Sequence, residues 1–560
     1  MLFLLVIGTL TLAFDIRPTF AQAETIYINA DGSITPSTAP IYTADNVTYA
    51  FTGNISYPAY NGIIVERSNT MIDGNGYTVQ GNQSGCGLSL TDISNVTVQN
   101  ASVQGFGEGM QLLSGSNNNT ICGNNVTANS AYGIYLYGSS YNTISGNNVT
   151  ANDEGDGIVF SYSSFNTVSE NDATANSYGD GIYLYSSSNN AVSGNNATAD
   201  YCGIYLSDSS NNTVNDNTAT ADYNPIYLFG SVDNNVSGNT VANGEGIYLL
   251  YGSSFNTISG NTAMDAVNGI LLYYSADNAV SENTLASNVL GLRIVSSSNN
   301  MMYYNSFVGN TAQASVDSTS VGNTWDNGYP SGGNYWSDYN GTDIYCGAYQ
   351  NQTGSDGIGD TPYVIDANNT DNYPLMNPWV SPDIAVTGLT LGKTVIGQGY
   401  SGLVNVTFEN LGNKIEGFNA TVYANSTFIL SEQTMLGMTN CTLSFLWNTT
   451  GFAYGNYTMS AYALPAPGET NSVNNNFTGG WVIVSMVGDI TGPNGWPDGK
   501  VDMRDLAIVA RAFGSDGANY LYPGSPPSSN WNPNADINGD GTVNMKDIAL
   551  VARNFGQHYP

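Results

Sequence analysis

Gly133-Ile-Tyr-Leu-Tyr-Gly-Ser-Ser-Tyr-Asn142-Thr-Ile-Ser-Gly-Asn147 is a unit that the chain repeats. It returns as Gly157-Ile-Val-Phe through Asn171 and as Gly181-Ile-Tyr-Leu through Asn195. Further copies begin at Gly203, Pro225, Gly246, Gly269 and Gly291, with weaker ones at Gly62, Gly87 and Gly109, at spacings of 21 to 25 residues. Each copy holds an alternating apolar run such as Ile134 to Tyr137, a Ser/Asn turn, and a second short strand such as Thr143 to Ser145. A unit this short cannot bury its own apolar face. Copies must therefore stack, each adding a rung of about 4.8 Å along a common axis. The expectation is a mainly β protein built on a β-solenoid.

Aligning the copies predicts two inward columns. One runs Ile134, Ile158, Ile182, Ile204, Ile226, Ile247, Ile270 and Leu292, and the other Ile144, Val168, Val192, Val214, Val236, Ile258 and Val280. A turn column of asparagines follows three residues after the second apolar position, including Asn147, Asn171, Asn195 and Asn217. Asparagine tolerates left-handed backbone, and stacked amides can bond along the axis. With these residues the segment from about 25 to 320 resembles the NosD-type and carbohydrate-binding/sugar-hydrolase group of right-handed parallel β-helices. That architecture hosts lyases, hydrolases and adhesins alike, so the resemblance implies fold more than activity.

The chemistry of the repeat region is restricted by what it lacks. Its basic residues are Arg67 and Arg293, many coils apart, and the sole histidine of the chain is His558. A lyase needs a base beside an acidic substrate, and the polygalacturonase pattern needs a histidine with an Arg/Lys pair. Neither is present. Asp153, Glu154, Asp156, Glu170, Asp172 and Asp180 lie near adjacent turns, so a two-carboxylate glycoside hydrolase stays open beside the plainer reading of solvated turn acids. Copper is not carried over from the NosD resemblance, because imidazole is absent and Met301 and Met302 replace Thr-Ile of the repeat. Outward tyrosines, above all Tyr135, Tyr183, Tyr205, Tyr227 and Tyr248, would form a stripe on one sheet, suited either to sugar faces or to stacking on one another.

Past the repeat, Trp325-Asp-Asn-Gly, Gly333-Asn-Tyr-Trp-Ser-Asp-Tyr339, Asp356-Gly-Ile-Gly-Asp-Thr-Pro-Tyr363 and Tyr373-Pro-Leu-Met376 form an aromatic, Gly-rich segment. It resembles the closing segment of NosD-like helices and would cover the last rung's open strand edges. Asp356 and Asp360 could hold calcium or simply shape Asp-Gly turns. From Asp383 to Val484 alternating strands indicate an immunoglobulin-like β-sandwich, which resembles CARDB domains. The last module carries Asp536, Asn538, Asp540, Thr542, Asn544 and Asp547 at EF-hand loop positions, with Gly541 at the sharp turn and one following helix. An earlier copy offers Asp489, Asp498, Lys500, Asp502 and Asp505 after an insertion. The duplication resembles type I dockerins. The resemblance implies calcium as cofactor and a cohesin-like partner, contacted through Met503, Arg504, Arg511, Met545, Lys546 and Arg553.

The formal net charge of -34 reflects ten Lys and Arg residues in 560. Nucleic acid and anionic membranes are therefore electrostatically disfavoured partners. Leu2 to Phe14 followed by Ala21, Gln22 and Ala23 fits a secretory signal cleaved before Glu24, although a basic n-region is missing. Roughly twenty Asn-x-Ser/Thr sites, such as Asn46, Asn95, Asn148, Asn211, Asn405, Asn419 and Asn476, agree with export and glycosylation. The five cysteines, Cys86, Cys122, Cys202, Cys346 and Cys441, are too scattered for a disulfide framework. The expected layout is a signal at 1–23, β-helix at 24–320, cap at 321–380, sandwich at 381–486 and dockerin-like module at 487–560. The expected function is a secreted, cell-surface-associated, non-catalytic protein that contacts carbohydrate and docks through its C-terminus. The alternative is a dockerin-borne polysaccharide-degrading enzyme, and a third reading makes the last module a calcium staple packing in cis.

Overall fold

The computed structural model describes residues 24–559 apart from 57–60, 152–154, 177, 413–415, 438, 467–468, 470 and 519–525. The expected signal lies outside the described residues. The chain divides into two units, one ending at Trp379 and the other beginning at Val380.

The first unit is a parallel β-helix. Among the described residues its three sheets hold 14, 13 and 13 strands, parallel throughout except at the N-terminal edge. Each rung gives one strand to each sheet, for example Tyr132–Tyr137, Thr143–Ser145 and Asn148–Ala151. Pairing is in register, Ile134 with Ile158 with Ile182 and Ile144 with Val168 with Val192, and both expected columns are fully buried. A third inward column, Val126, Val149, Ala173, Ala197 and Ala219, completes the core. Its small residues, flanked by Asn and Thr, give little apolar periodicity to read. The glycine near the start of most first strands is required by close approach: a Cβ on Gly157 would meet the Gly181 carbonyl oxygen at 2.5 Å.

The corners are held by buried polar columns. In the expected asparagine column, the Asn147 backbone N–H and Nδ2 both donate to Asn171 Oδ1 at 3.0 Å, and Asn147 Nδ2 also donates to the Ile121 carbonyl. Asn171 repeats this on Asn195, and Asn195 on Asn217. A second asparagine column runs through Asn142, Asn166, Asn190 and Asn212, and a serine column through Ser139, Ser163, Ser187 and Ser209. The left-handed backbone does not fall on the ladder asparagines. It falls on the residue before each of them, Gly146, Glu170, Gly194 and Asp216. That residue makes the bend and faces solvent, while the asparagine turns its amide inward.

The cap continues this pattern. Asn305 donates from N–H and Nδ2 to Asn334 Oδ1 at 3.0 and 2.9 Å, so Asn334 is the ladder's next member. Asp371 then receives the Asn334 N–H at 2.7 Å, Trp336 Nε1 at 2.8 Å and the Tyr373 N–H at 3.1 Å. Trp325 and Trp336 join the solenoid core, and the Phe307, Trp336 and Tyr363 rings stack with centroids 4.2 Å apart at each step. Burial pushes the Asp371 carboxyl up to about 7 against the pull of these donors. Asp356 and Asp360 accept hydrogen bonds from loop N–H groups, such as those of Ile358 and Tyr345, as turn-shaping carboxylates do.

The second unit opens with a β-sandwich. One sheet pairs Ile384–Leu391, Ser401–Asn410 and Asn440–Asn448, and the other has five strands that include Gly455–Ala463 and Asn476–Ser485. Phe408, Phe445, Trp447 and Met459 fill the space between the sheets. The chain ends in two helices, α1 (Met503–Ala512) and α2 (Met545–Asn554).

An amide ladder is as strong as its weakest member. Replacing Asn195 by Ala strands the Asn171 N–H and takes the amide donor from the Val168 carbonyl, so unfolding should become easier by about 2–4 kcal/mol. Replacing the neighbouring exposed Asn196 should change stability by less than about 0.5 kcal/mol. Chemical denaturation of the two variants checks this, and equal effects would show that the ladder contributes nothing special.

Candidate functional sites

Of the candidate acids, Asp153 and Glu154 lie outside the described residues. Asp156 and Asp180 share one column on the first sheet, where Asp156 Oδ1 accepts the Asp180 N–H at 2.8 Å and Asp180 Oδ1 accepts the Cys202 N–H at 3.1 Å. Glu170 and Asp172 sit elsewhere: Glu170 occupies a left-handed corner and Asp172 pairs with Asn148 and Asn196 on the third sheet. The four described acids therefore do not gather around one point. Burial raises Asp180 to about 8, with the Asp156 charge adding to it, and burial raises Asp156 to about 6.

The five tyrosines project outward from the first sheet, but not as one stripe. Tyr183, Tyr205, Tyr227 and Tyr248 stack in sequence at 4.7, 4.8 and 5.2 Å, while buried Val159 separates Tyr135 from Tyr183. The rung spacing equals a ring-stacking distance, so these rings cover each other's faces. The expected flat platform is thus largely used up within the sheet. The sequence pattern does not separate outward sheet tyrosines from corner ones such as Tyr141, Tyr251 and Tyr274, whose left-handed backbone is visible only in three dimensions.

The C-terminal module has near two-fold internal symmetry. Asp502 caps α1 and Asn544 caps α2, each in a capping box closed by Asp505 or Asp547. Asp489 Oδ2 accepts the Gly499 N–H at 2.9 Å, and Asp536 Oδ2 accepts the Gly541 N–H at 3.0 Å. Asp505 accepts from Ile490 and Thr491, as Asp547 accepts from Ile537 and Asn538. Despite the insertion, Asp489 thus occupies in its loop the place that Asp536 holds in the other. Asp498, Lys500 and Asp502 follow Asp489 as Asp540, Thr542 and Asn544 follow Asp536, with Lys500 and Thr542 at the position where such loops offer a backbone carbonyl.

Asp489, Asp505, Asp536 and Asp547 are buried. Burial lifts Asp489 to about 7, reinforced by the charges of Asp505 and Asp498, and burial also raises Asp505 and Asp536. No group of three or more His, Cys, Asp or Glu side chains among the described residues converges as a metal site. The first loop instead joins buried Asp489 and Asp505 with Asp498, Asp502 and the Lys500 carbonyl, and the second joins buried Asp536 and Asp547 with Asp540, the amides of Asn538 and Asn544, and Thr542. That all-oxygen set suits a hard cation such as calcium and would relieve the burial of the carboxylates.

The proposed docking residues face solvent. Met503 and Met545 are each 64% exposed, and Arg511 and Arg553 lie exposed in the last turns of α1 and α2. Arg504 pairs with Asp502 at 3.0 Å and Asp498 at 3.6 Å, and Lys546 pairs with Asp540 at 2.9 Å, so these two bases also serve the loops. The module's other side packs in cis on the sandwich. Val395, Ile483 and Met486 share a hydrophobic cluster with Ile490, Val501, Val509, Ile537, Val543 and Val551. Asn534 Oδ1 accepts the Thr394 and Val395 N–H groups, and Lys393 Nζ donates to the Asp536 carbonyl.

Comparison with known proteins follows the same division. Residues 154–341 match the family model of the periplasmic copper-binding protein NosD, residues 61–219 that of the right handed beta helix region, and residues 494–556 that of the dockerin type I domain. Copper does not fit the residues of the NosD-like segment: it has no histidine, Cys202 and Met302 are buried, and Met264 and Met301 stand on different sheets. No curated protein matches. Among solved structures, a CARDB domain from Pyrococcus furiosus in complex with di-metal ions is 26% identical over 19% of this chain and 96% of its own, with a TM-score of 0.17. DFA-IIIase from Arthrobacter chlorophenolicus is 12% identical over 50% and 85%, at a TM-score of 0.33. A mutant of the periplasmic alginate epimerase AlgG is 14% identical over 53% and 82%, at 0.34. No helix among the described residues is long and apolar enough to cross a membrane.

The buried Asp180 proton makes the solenoid's stability depend on pH. Between 3.8 and about 8 the folded chain retains a proton that the unfolded chain has released, so stability falls as pH rises through that window. Asp180→Asn should flatten this slope and stabilise the β-helix by about 1–3 kcal/mol at the alkaline end. Asn is compatible with the site, since Asn224 holds the same column two rungs on. Melting temperatures of parent and variant across this range test it, and parallel curves would contradict the assignment. By its sheets and its matched segments, the chain is a mainly β protein: a right-handed parallel β-helix similar to NosD, then a β-sandwich, then a segment similar to the dockerin type I domain.

Proposed function

We propose that the chain is an exported, non-catalytic surface protein that loads calcium into its C-terminal module, docks there to a cohesin-like partner and contacts carbohydrate through its β-helix. The carrying observation is the orientation of the duplicated module. Its loops pack toward the sandwich, and its matched Met503, Arg511, Met545 and Arg553 are left in solvent. Packing in cis and docking in trans are therefore compatible. On so acidic a chain a local pair of basic helix ends favours an acidic partner face, and the methionines offer adaptable apolar contact. The scattered acids of the helix, two of them engaged by backbone N–H groups of the next rung, favour binding over hydrolysis.

Calcium should fold the module by bridging carboxylates that otherwise repel in a buried setting. Chelation is expected to abolish the helical circular dichroism of α1 and α2 and to lower the sandwich's melting temperature through their shared core, while the solenoid transition stays in place. Unchanged helical signal on chelation would rule calcium out.

Docking is best tested without touching the bases that pair with the loops. Met503→Asp, Arg511→Glu, Met545→Asp and Arg553→Glu together should weaken cohesin capture at least a hundredfold with calcium affinity retained. Altering one copy alone should cost only a few fold, because the other copy presents the same face. Undiminished capture by the fourfold variant would leave the module as a cis staple only.

A further inference from the structure

Six bulky aromatic residues sit at exposed corners in left-handed backbone. Tyr162, Tyr251 and Tyr274 have φ of 53°, 46° and 49°, and Tyr141, Phe165 and Phe255 have φ of 60°, 60° and 59°. All six are between 49% and 61% exposed. Large side chains are disfavoured in this conformation, and the solenoid contains its own control. On other rungs the first corner position is Ser186, Asp208 or Gly230, and the second is Asn189, Asn211 or Asp233, all with positive φ. The fold asks for small or polar residues here and functions structurally with them. Tyr162, Tyr251 and Tyr274 touch outward rings of the first sheet edge-on, Tyr185, Phe229 and Tyr273 among them, yet about half of each corner ring stays in solvent. Strain with so little burial points to a use for the rings outside the fold.

The exposed corner rings form two islands, linked through the less exposed aromatics of the first sheet from Tyr185 to Phe229. Tyr141 and Phe165 stack at 5.1 Å with planes 7° apart, and Tyr251 and Tyr274 stack at 5.6 Å with planes 19° apart. The rungs that carry Phe165 and Tyr251 are four steps apart, roughly 19 Å at about 4.8 Å per rung. Between them the same corner offers hydroxyls, amides and the carboxylates of Asp208 and Asp233. Two small islands on a line do not make the contiguous apolar centre of a protein interface. They fit an extended ligand with alternating apolar and hydroxylated surface, running along the axis. With Arg67 and Arg293 the basic residues of the repeat region, an anionic polymer would meet net repulsion.

We infer that this corner, and not the tyrosine stack on the first sheet, is the binding track for a neutral polysaccharide. The inference rests on the carbohydrate part of the function proposed above. The full chain should be retained on at least one of crystalline cellulose, chitin or insoluble mannan, and not on alginate gel. A sixfold variant carrying Asp at 141, 165 and 255 and Ser at 162, 251 and 274 uses side chains of the kinds that these columns already accept. Asp is chosen over Asn because Asn at those three positions would create Asn-x-Thr acceptors. Retention should fall at least tenfold, while the solenoid's melting temperature stays level or rises. A variant with Ser at Tyr183, Tyr205 and Tyr227 should still be retained. Loss in the sheet variant with retention in the corner variant overturns the inference and leaves carbohydrate binding standing. A parent chain retained on none of the polymers overturns both. A drop in melting temperature of the sixfold variant would make the rings structural, and a parent dimer that only this variant abolishes would make the corner a self-association face.

Discussion

Each rung of the solenoid has to turn corners inside a stack that excludes water from them, and every buried N–H there must find an acceptor. The side-chain amide of asparagine meets this demand because it carries an acceptor and two donors at one tip. Its oxygen takes the N–H of the rung below, and its nitrogen reaches a main-chain carbonyl. Once one rung does this, the next must do it in the same place. The in-register columns of isoleucine and valine follow from that, since a slip in either would break the other. Even the cap obeys it: Asn334 extends the ladder, and Asp371 closes it with a carboxylate that needs no further donor of its own.

The same constraint divides the surface into usable and unusable positions. Residues that face outward from the sheets lie one rung from their neighbours, so aromatic side chains there stack and consume their own faces. Residues at the left-handed corners vary from rung to rung, because the ladder member beside them does the structural task, and even those that touch the sheet's outer rings, such as Tyr162 and Tyr251, stay about half exposed. A solenoid of this kind can carry a binding surface at its corners without paying for it in the core. The acids show the converse: Asp156 and Asp180, placed in a column that bridges rungs, are drawn into structural hydrogen bonding.

The second unit solves a different problem. A module of two short helices and two acidic loops has little apolar area with which to hold itself together. Here the sandwich lends Val395, Ile483 and Met486 to its core, and Asn534 and Lys393 tie its second loop to the adjoining strand. The loops gain a rigid backing, and the outer helix faces remain available. The carboxylates that would ligand a cation are buried beside this shared core, and burial raises those of Asp489, Asp505 and Asp536.

Much of this was legible in the amino-acid order. The repeat period, the two strong apolar columns, the Asn147 to Asn217 ladder, the aromatic cap and the duplicated loops all leave periodic or motif signals in one dimension, because stacking and ligand spacing impose a fixed interval along the chain. Asp489 could be paired with Asp536 despite its insertion, since the following Gly499 and Asp505 keep their places. What the sequence could not reveal depends on how rungs meet in space. The alanine-rich third column carries almost no hydropathy contrast. The left-handed bends fall on Gly146 or Glu170 and not on the ladder asparagines, because a backbone angle is set by where its neighbour's amide must point. The separation of Glu170 from Asp180, the self-covering of the tyrosine stack and the joining of sandwich to terminal module are distances between residues far apart in order, and packing alone decided them.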